Sequence, residues 1–312
     1  MTVSPPNLHN RVYAGAHFAL VLDDQRTVGL FRSIEGGGVK ADVMQYQYGA
    51  HHERWRLVGK PKFEDIKAQV GMAMSKPFYT WIEKFFSGAA ERKSGAIIAT
   101  DFYYVERARR EFSEAMIREL TFPKLDASDK SAAYMTIAFA VEGIVFKRGD
   151  GAKLQQAEGM TSQKLWKVCN FRFVLDGVEA ACKRVTKVDA FTIKQNVIEY
   201  HGGAMKAPIK TPGEIEFPNL TFYVPEADAQ PFFELFKQRA IDGHARGHGA
   251  KRAGSIEIFD NDARQSTLFT VTFSEADIVS VQPDKSDAGS EEIKQVKIEL
   301  STERMSFAYS GG

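Results

Sequence analysis

The chain repeats itself, and the repetition limits what it can fold into. Phe112-Ser113-Glu114-Ala115 recurs as Phe273-Ser274-Glu275-Ala276. Phe112 lies 34 residues before Phe146, and Phe273 lies 34 before Phe307. Upstream, Gly59 to Phe86 reads as a strand followed by an amphipathic helix, and Pro212 to Arg239 repeats that plan. Phe18 precedes Pro77 by 59 residues, and Phe171 precedes Pro231 by 60. Val21-Leu22-Asp23 corresponds to Val174-Leu175-Asp176, and Tyr48-Gly49 corresponds to Tyr200-His201-Gly202. Anchors in one order at near-equal spacing predict a tandem duplication. Each half must then bury a core, and 312 residues at 44% hydrophobic content suffice for two ordinary domains.

Alternation puts Phe18, Leu20 and Leu22 on one face of a first strand. Thr27 to Ile34 is a second, ended by Gly36-Gly37-Gly38. Val39 to Tyr48 and Trp55 to Val58 form a long hairpin with a polar tip, and Phe63 to Met72 follows. Ser75 is the expected N-cap, with Pro77 in the first turn. Phe78, Trp81, Ile82, Phe85 and Phe86 then form one apolar stripe. Its burial is worth on the order of 10 kcal/mol before entropy, so a sheet must cover it. The helix is expected to clamp its own sheet. Gly88 ends it. Further strands are expected at 95–104, 112–122 and 132–146. The expected organisation is a polar arm at 1–12, a first domain at 13–147, a linker at 148–166 and a second domain at 167–312. The expected fold class is mainly β: two tandem antiparallel β-barrel or sandwich domains, each with one flanking α-helix.

The chemistry of the chain argues against several functions. With 41 basic and 40 acidic residues, no global charge draws it to nucleic acid or to an anionic membrane. Two cysteines, Cys169 and Cys182, fit no zinc pattern or disulfide framework, which suits a reducing compartment. The first residues lack the apolar stretch of a signal peptide, and no apolar run is long enough to predict a membrane span. Gly36-Gly37-Gly38 lacks the Lys-Ser/Thr of a phosphate loop. His51-His52 has no third ligand nearby. His244 and His248 have helical spacing, but glycines surround them. Arg148-Gly149-Asp150 reads as a turn. The basic segments Glu91-Arg92-Lys93 and 244–252 read as solvated loops, and the second carries no aromatic for stacking on bases. No acid–base or nucleophile set can be assembled, so the expectation is no enzyme, no catalytic residue, no cofactor and no metal site.

Three segments carry a resemblance. The first runs from Val43-Met44-Gln45-Tyr46-Gln47-Tyr48-Gly49 through Leu57-Val58-Gly59-Lys60-Pro61-Lys62-Phe63-Glu64-Asp65-Ile66. The second is the helix with Phe78 and Trp81. The third runs from Leu125-Asp126-Ala127 to Met135 and on through Glu142-Gly143-Ile144. Together they resemble the tail tube proteins of contractile phages and related injection systems. The second half matches more loosely: Leu235 stands at the place of Trp81, and the final strand lacks Glu-Gly.

The resemblance implies a small barrel per half, joined side by side with its neighbours into a ring around a channel. Rings would stack into a tube. It implies a structural protein of a virion tail, or of an injection system assembled in the bacterial cytoplasm. The implied partners are copies of itself, as three chains in a pseudo-sixfold ring or as six chains. Sheath and baseplate hub proteins would surround the tube, with DNA or effector cargo in transit and no membrane. A tube initiator, hub adaptor or terminal cap is the alternative role, and a duplicated β-barrel binding module is the alternative class. The expected inter-ring contacts are Tyr46, Tyr48, His51, His52, Arg54 and Trp55. The expected channel lining is Arg32, Lys40, Asp42, Arg184, Lys187 and Lys194.

Overall fold

A computed structural model of the protein describes residues 15, 17–23, 26–47, 49, 54–72, 74–154, 166–203, 207–242, 251–261, 266–284 and 293–310. The arm at 1–12, Tyr48, His51, His52, linker residues 155–165 and loop residues 243–250 lie outside the described residues.

The first half runs β1 (His17–Leu22), β2 (Arg26–Gly36), β3 (Val39–Gln47), β4 (Arg54–Phe63), β5 (Ile66–Val70), α1 (Lys76–Phe86), β6 (Lys93–Thr100), β7 (Glu106–Phe122), β8 (Leu125–Asp126), β9 (Met135–Ala140) and β10 (Gly143–Arg148). The second half runs β11 (Trp166–Leu175), α2 (Glu179–Cys182), β12 (Lys187–Val188), β13 (Phe191–Tyr200), β14 (Ile209–Glu216), β15 (Leu220–Pro225), α3 (Gln230–Phe236), β16 (Arg252–Asp260), β17 (Thr267–Pro283), β18 (Gln295–Ser301) and β19 (Arg304–Tyr309).

The fold is mainly β. Antiparallel pairing closes β1, β2, β5, β9, β7 and β6 into a six-stranded barrel. The second half builds a nearly closed barrel in the order β11-β16-β17-β18-β15-β12-β8. Its seventh strand, β8, comes from the first half: Leu125 and Asp126 pair with Val188 and Lys187. Apolar side chains of both halves merge into one core.

The recurring tetrapeptide has a backbone task. In each half a 17-residue strand, β7 or β17, carries two partners on the same edge in succession. Glu114 and Glu275 sit where the partner changes, and both have φ of 53°. The strand expected at 132–146 is accordingly two strands, β9 and β10. Gly95 and Gly254 also match: a Cβ at either would collide with the carbonyl oxygen of Val21 or Val174 and with the ring of Phe112 or Phe273.

All five stripe residues of α1 are buried. Trp81 lies 5.8 Å from Phe139 between ring centroids, and its Nε1 donates to the Glu91 carbonyl at 3.0 Å. Ser75 holds the N-cap position, although its hydroxyl makes no cap bond. Tyr79, off the stripe, is buried as well. It stacks on Tyr309 of β19 at 3.9 Å. The helix therefore bridges the two halves as well as covering its own sheet.

Candidate assembly interface

The two halves meet through a β-joint. Strand β13 pairs with the end of β7, setting Phe191 opposite Phe122, Thr192 opposite Thr121, Ile193 opposite Leu120 and Lys194 opposite Glu119. The Phe122 and Phe191 rings stack at 4.9 Å, and the two threonine hydroxyls lie 2.8 Å apart. The hairpin β13–β14 thus extends the first half's sheet to nine strands. Beta-augmentation of this kind supplies affinity from backbone bonds and specificity from alternate side chains.

A polar clasp locks the hairpin. Glu142 Oε1 accepts from Arg92 Nη1 at 2.7 Å and from the Lys210 backbone N–H at 2.7 Å. Arg92 Nη2 donates to the Lys210 carbonyl at 2.5 Å. The Lys210 ammonium, buried, lies 3.6 Å from Asp65 Oδ1, and Asp65 Oδ2 accepts from Arg118 Nη1 at 2.6 Å. Beside the clasp, Phe86 packs on Phe307 and Phe217 at 5.9 and 6.5 Å, and Tyr309 N–H donates to Glu83 at 3.0 Å. Burial pushes the Tyr79 and Tyr309 phenols up, so both stay neutral.

The hairpin β3–β4 is the first half's counterpart of β13–β14. Both carry a bulge, in β4 opposite Asp42 and in β14 opposite Asn196. Aligning the bulges equates Lys40 with Lys194, Val39 with Ile193, Tyr46 with Tyr200 and Arg56 with Lys210. Tyr200 therefore matches Tyr46, where the sequence alone suggests Tyr48. Among the described residues, β3 and β4 pair only with each other.

Of the expected inter-ring residues, Tyr46 and Trp55 face one another across this hairpin and are both exposed. Arg54 reaches Gln45 at 3.3 Å. Of the expected lining residues, Lys40 and Asp42 share the hairpin and pair with Glu64 and with Lys62. Lys194 holds the matching place on β13. Arg32 lies over the Tyr134 ring at 4.2 Å. Arg184 pairs with Asp228 at 2.9 Å, and Lys187 sits over the Tyr223 ring at 4.1 Å; these two belong to the β12 region and not to the hairpins. Sequence reading missed Arg92, Glu142, Lys210 and Tyr79. One signal was available: Glu142 follows Phe112 by 30 residues and Glu303 follows Phe273 by 30. Among the described residues no group of three His, Cys, Asp or Glu could hold a metal, and no helix is long and apolar enough to cross a membrane.

A chain in the structure of an extracellular contractile injection system, the PVC sheath-tube complex in its extended state, is 19% identical, covering 47% of this chain and 99% of that one, with a TM-score of 0.41. A chain in the structure of the anti-feeding prophage tube-terminating cap is 25% identical over 45% of this chain and 89% of its own, with a TM-score of 0.36. The E. coli Hcp1 protein is 13% identical over 46% and 93%, with a TM-score of 0.26. No curated protein sequence matches. The family described as T4-like virus tail tube protein gp19 matches twice, over residues 15–145 and again over 167–306. The chain belongs to the T4-like tail tube protein gp19 family, in tandem duplicate.

Proposed function

We propose that this protein is a structural subunit of a tail tube or injection-system inner tube, each copy supplying two neighbouring domains of a ring around a channel. One observation carries the reading: β13 of the second half pairs onto β7 of the first, so sheet continues from one domain into the next. Three copies would give a pseudo-sixfold ring, and six copies a larger or double-layered one. Exposed edge strands are a liability unless paired, and ring closure pairs them.

In this reading the hairpin tips make the contacts between stacked rings. Met44, Tyr46 and Trp55 are exposed, and so are their counterparts Ile198, Tyr200 and Ile209, although β13 is already paired to β7. The side-by-side joint leaves the tips open, which suits a second, axial contact. Lys40, Asp42 and Lys194, with Arg32, Arg184 and Lys187, form the proposed channel lining. Lys40, Asp42 and Arg184 each have a counter-charge beside them, so the lining would pass DNA or an effector without holding it. Native mass spectrometry with electron microscopy tests the function. Rings that stack into filaments support the tube role, single rings that never stack move the chain to an initiator, adaptor or cap, and a monomer at high concentration overturns the reading.

A further inference from the structure

Both sides of the joint between the halves are repeated at the outer ends of the chain. In the internal joint, the first half supplies the end of β7, the Arg92–Glu142 pair and α1. The second half supplies the hairpin β13–β14 and β19. The duplicates of the receiving side are the end of β17, the Lys251–Glu303 pair and α3. The duplicates of the entering side are the hairpin β3–β4 and β10. Burial separates the engaged copies from the outer ones. Ile193 is 0% exposed and its equivalent Val39 43%; Phe307 is 5% exposed and its equivalent Phe146 60%. The side chain of Glu142 is 15% exposed and that of Glu303 48%. Tyr79 is buried, whereas Phe233, in its place on α3, is exposed.

We infer that the β17 end, α3 and Lys251–Glu303 of one copy receive the β3–β4 hairpin and β10 of a second copy, in the register of the internal joint. The inference rests on the ring reading above and assigns its intermolecular contact. The register follows from the bulges. β7 shifts between Ile117 and Glu119, and β17 shifts between Ile278 and Ser280. Glu119 is therefore Ser280, and Leu120 is Val281. Lys194 opposite Glu119 then becomes Lys40 opposite Ser280 of the neighbour, and Ile193 opposite Leu120 becomes Val39 opposite Val281. The Arg56 backbone falls at Lys251–Glu303 as the Lys210 backbone falls at Arg92–Glu142. Arg148, in the place of Tyr309, approaches α3 at Phe233, the place of Tyr79. Both entering elements lie on the first half and all receiving elements on the second, so the contact is head-to-tail, the kind that closes into a ring.

Cysteine cross-linking in the full chain tests this, on a Cys169→Ser background. Directly opposite residues of an antiparallel pair are close enough for a disulfide. Lys40→Cys with Ser280→Cys should give covalent oligomers that stop at the ring size under mild oxidation. Glu119→Cys with Lys194→Cys should close within one chain. Met44→Cys with Ser280→Cys, four residues out of register, should give none. In parallel, Val39→Arg should raise the dissociation concentration about tenfold or more, as charge enters a pairing surface, while Phe102→Arg, at an exposed position outside every proposed contact, leaves it unchanged. Val39 is exposed in the free chain, so this variant folds independently of the contact. Intact rings in which Lys40→Cys/Ser280→Cys fails to cross-link, or in which the Met44 pair does, overturn this interface and leave the ring reading standing. A chain that is monomeric by native mass overturns the ring reading itself.

Discussion

The two halves share a plan but bury opposite parts of it. In the first half the helix is sealed: Phe78, Tyr79, Trp81, Ile82, Phe85 and Phe86 are all buried, while the hairpin β3–β4 lies open along β3. In the second half the hairpin is engaged, with Phe191 and Ile193 buried, while α3 buries only Phe232. The difference teaches that neither element is intrinsically core or surface. The sealed helix and the engaged hairpin are those that touch the other half. What a duplicated element buries is set by whether a neighbour occupies its far side.

Substitutions at equivalent positions sharpen this contrast. The largest expected effect is in the helices: Trp81→Ala should cost about 3–5 kcal/mol in denaturant unfolding, and Leu235→Ala, half-buried, distinctly less. Equal costs would mean that α3 is sealed too. Next come the hairpins. Ile193→Ala should cost about 2–4 kcal/mol, whereas Val39→Ala should change the isolated chain by less than about 0.5 kcal/mol. The clasp follows. Glu142→Gln should cost about 1–3 kcal/mol, because Arg92 loses its closer, largely covered counter-charge and keeps only Glu114 at 3.3 Å, against little for Glu303→Gln in the monomer. Urea titration of both variants measures the gap.

The smallest effect is a pH dependence at the shared strand β8. Burial works to raise the Asp126 carboxyl, but the Ser128 hydroxyl and amide and the Lys124 ammonium outweigh it and bring it from 3.8 down to about 2. A carboxyl depressed on folding adds stability above its unfolded pKa and loses it as pH falls through the folded value. Stability should therefore drop by about 1 kcal/mol from pH 5 to pH 2 on account of this group, after allowance for its partial exposure. Asp126→Asn should flatten that part of the profile. An unchanged profile would mean the contact is not formed.

Much of the fold was legible because it is written in local patterns. The duplication, the strand alternation and the helix stripe are all short-range signals. The helix Phe78–Phe86 and the hairpin from Val39 could be read directly. The joint could not. Glu142 and Lys210 look like any exposed charges until a chain 68 residues away folds onto them. Tyr79 lies off the stripe, and only Tyr309 explains its burial. The two residues of β8 are too few to show alternation, and they are strand because Lys187 and Val188 offer them an edge. The shared glutamates at equal spacing were the one trace of the clasp. Without a structure they were indistinguishable from an inherited surface.

The internal joint also bears on how rings could be counted and started. Because one hairpin is already docked within the chain, half of the side-by-side contacts in the proposed ring would form without any encounter between molecules. The tether supplies an effective concentration that separate domains would lack, in the millimolar range for short connections. In the proposed three-copy ring, three meetings would do the work of six. A ring made only of such chains also holds an even number of domains, so the covalent link sets a parity that single-domain subunits do not have.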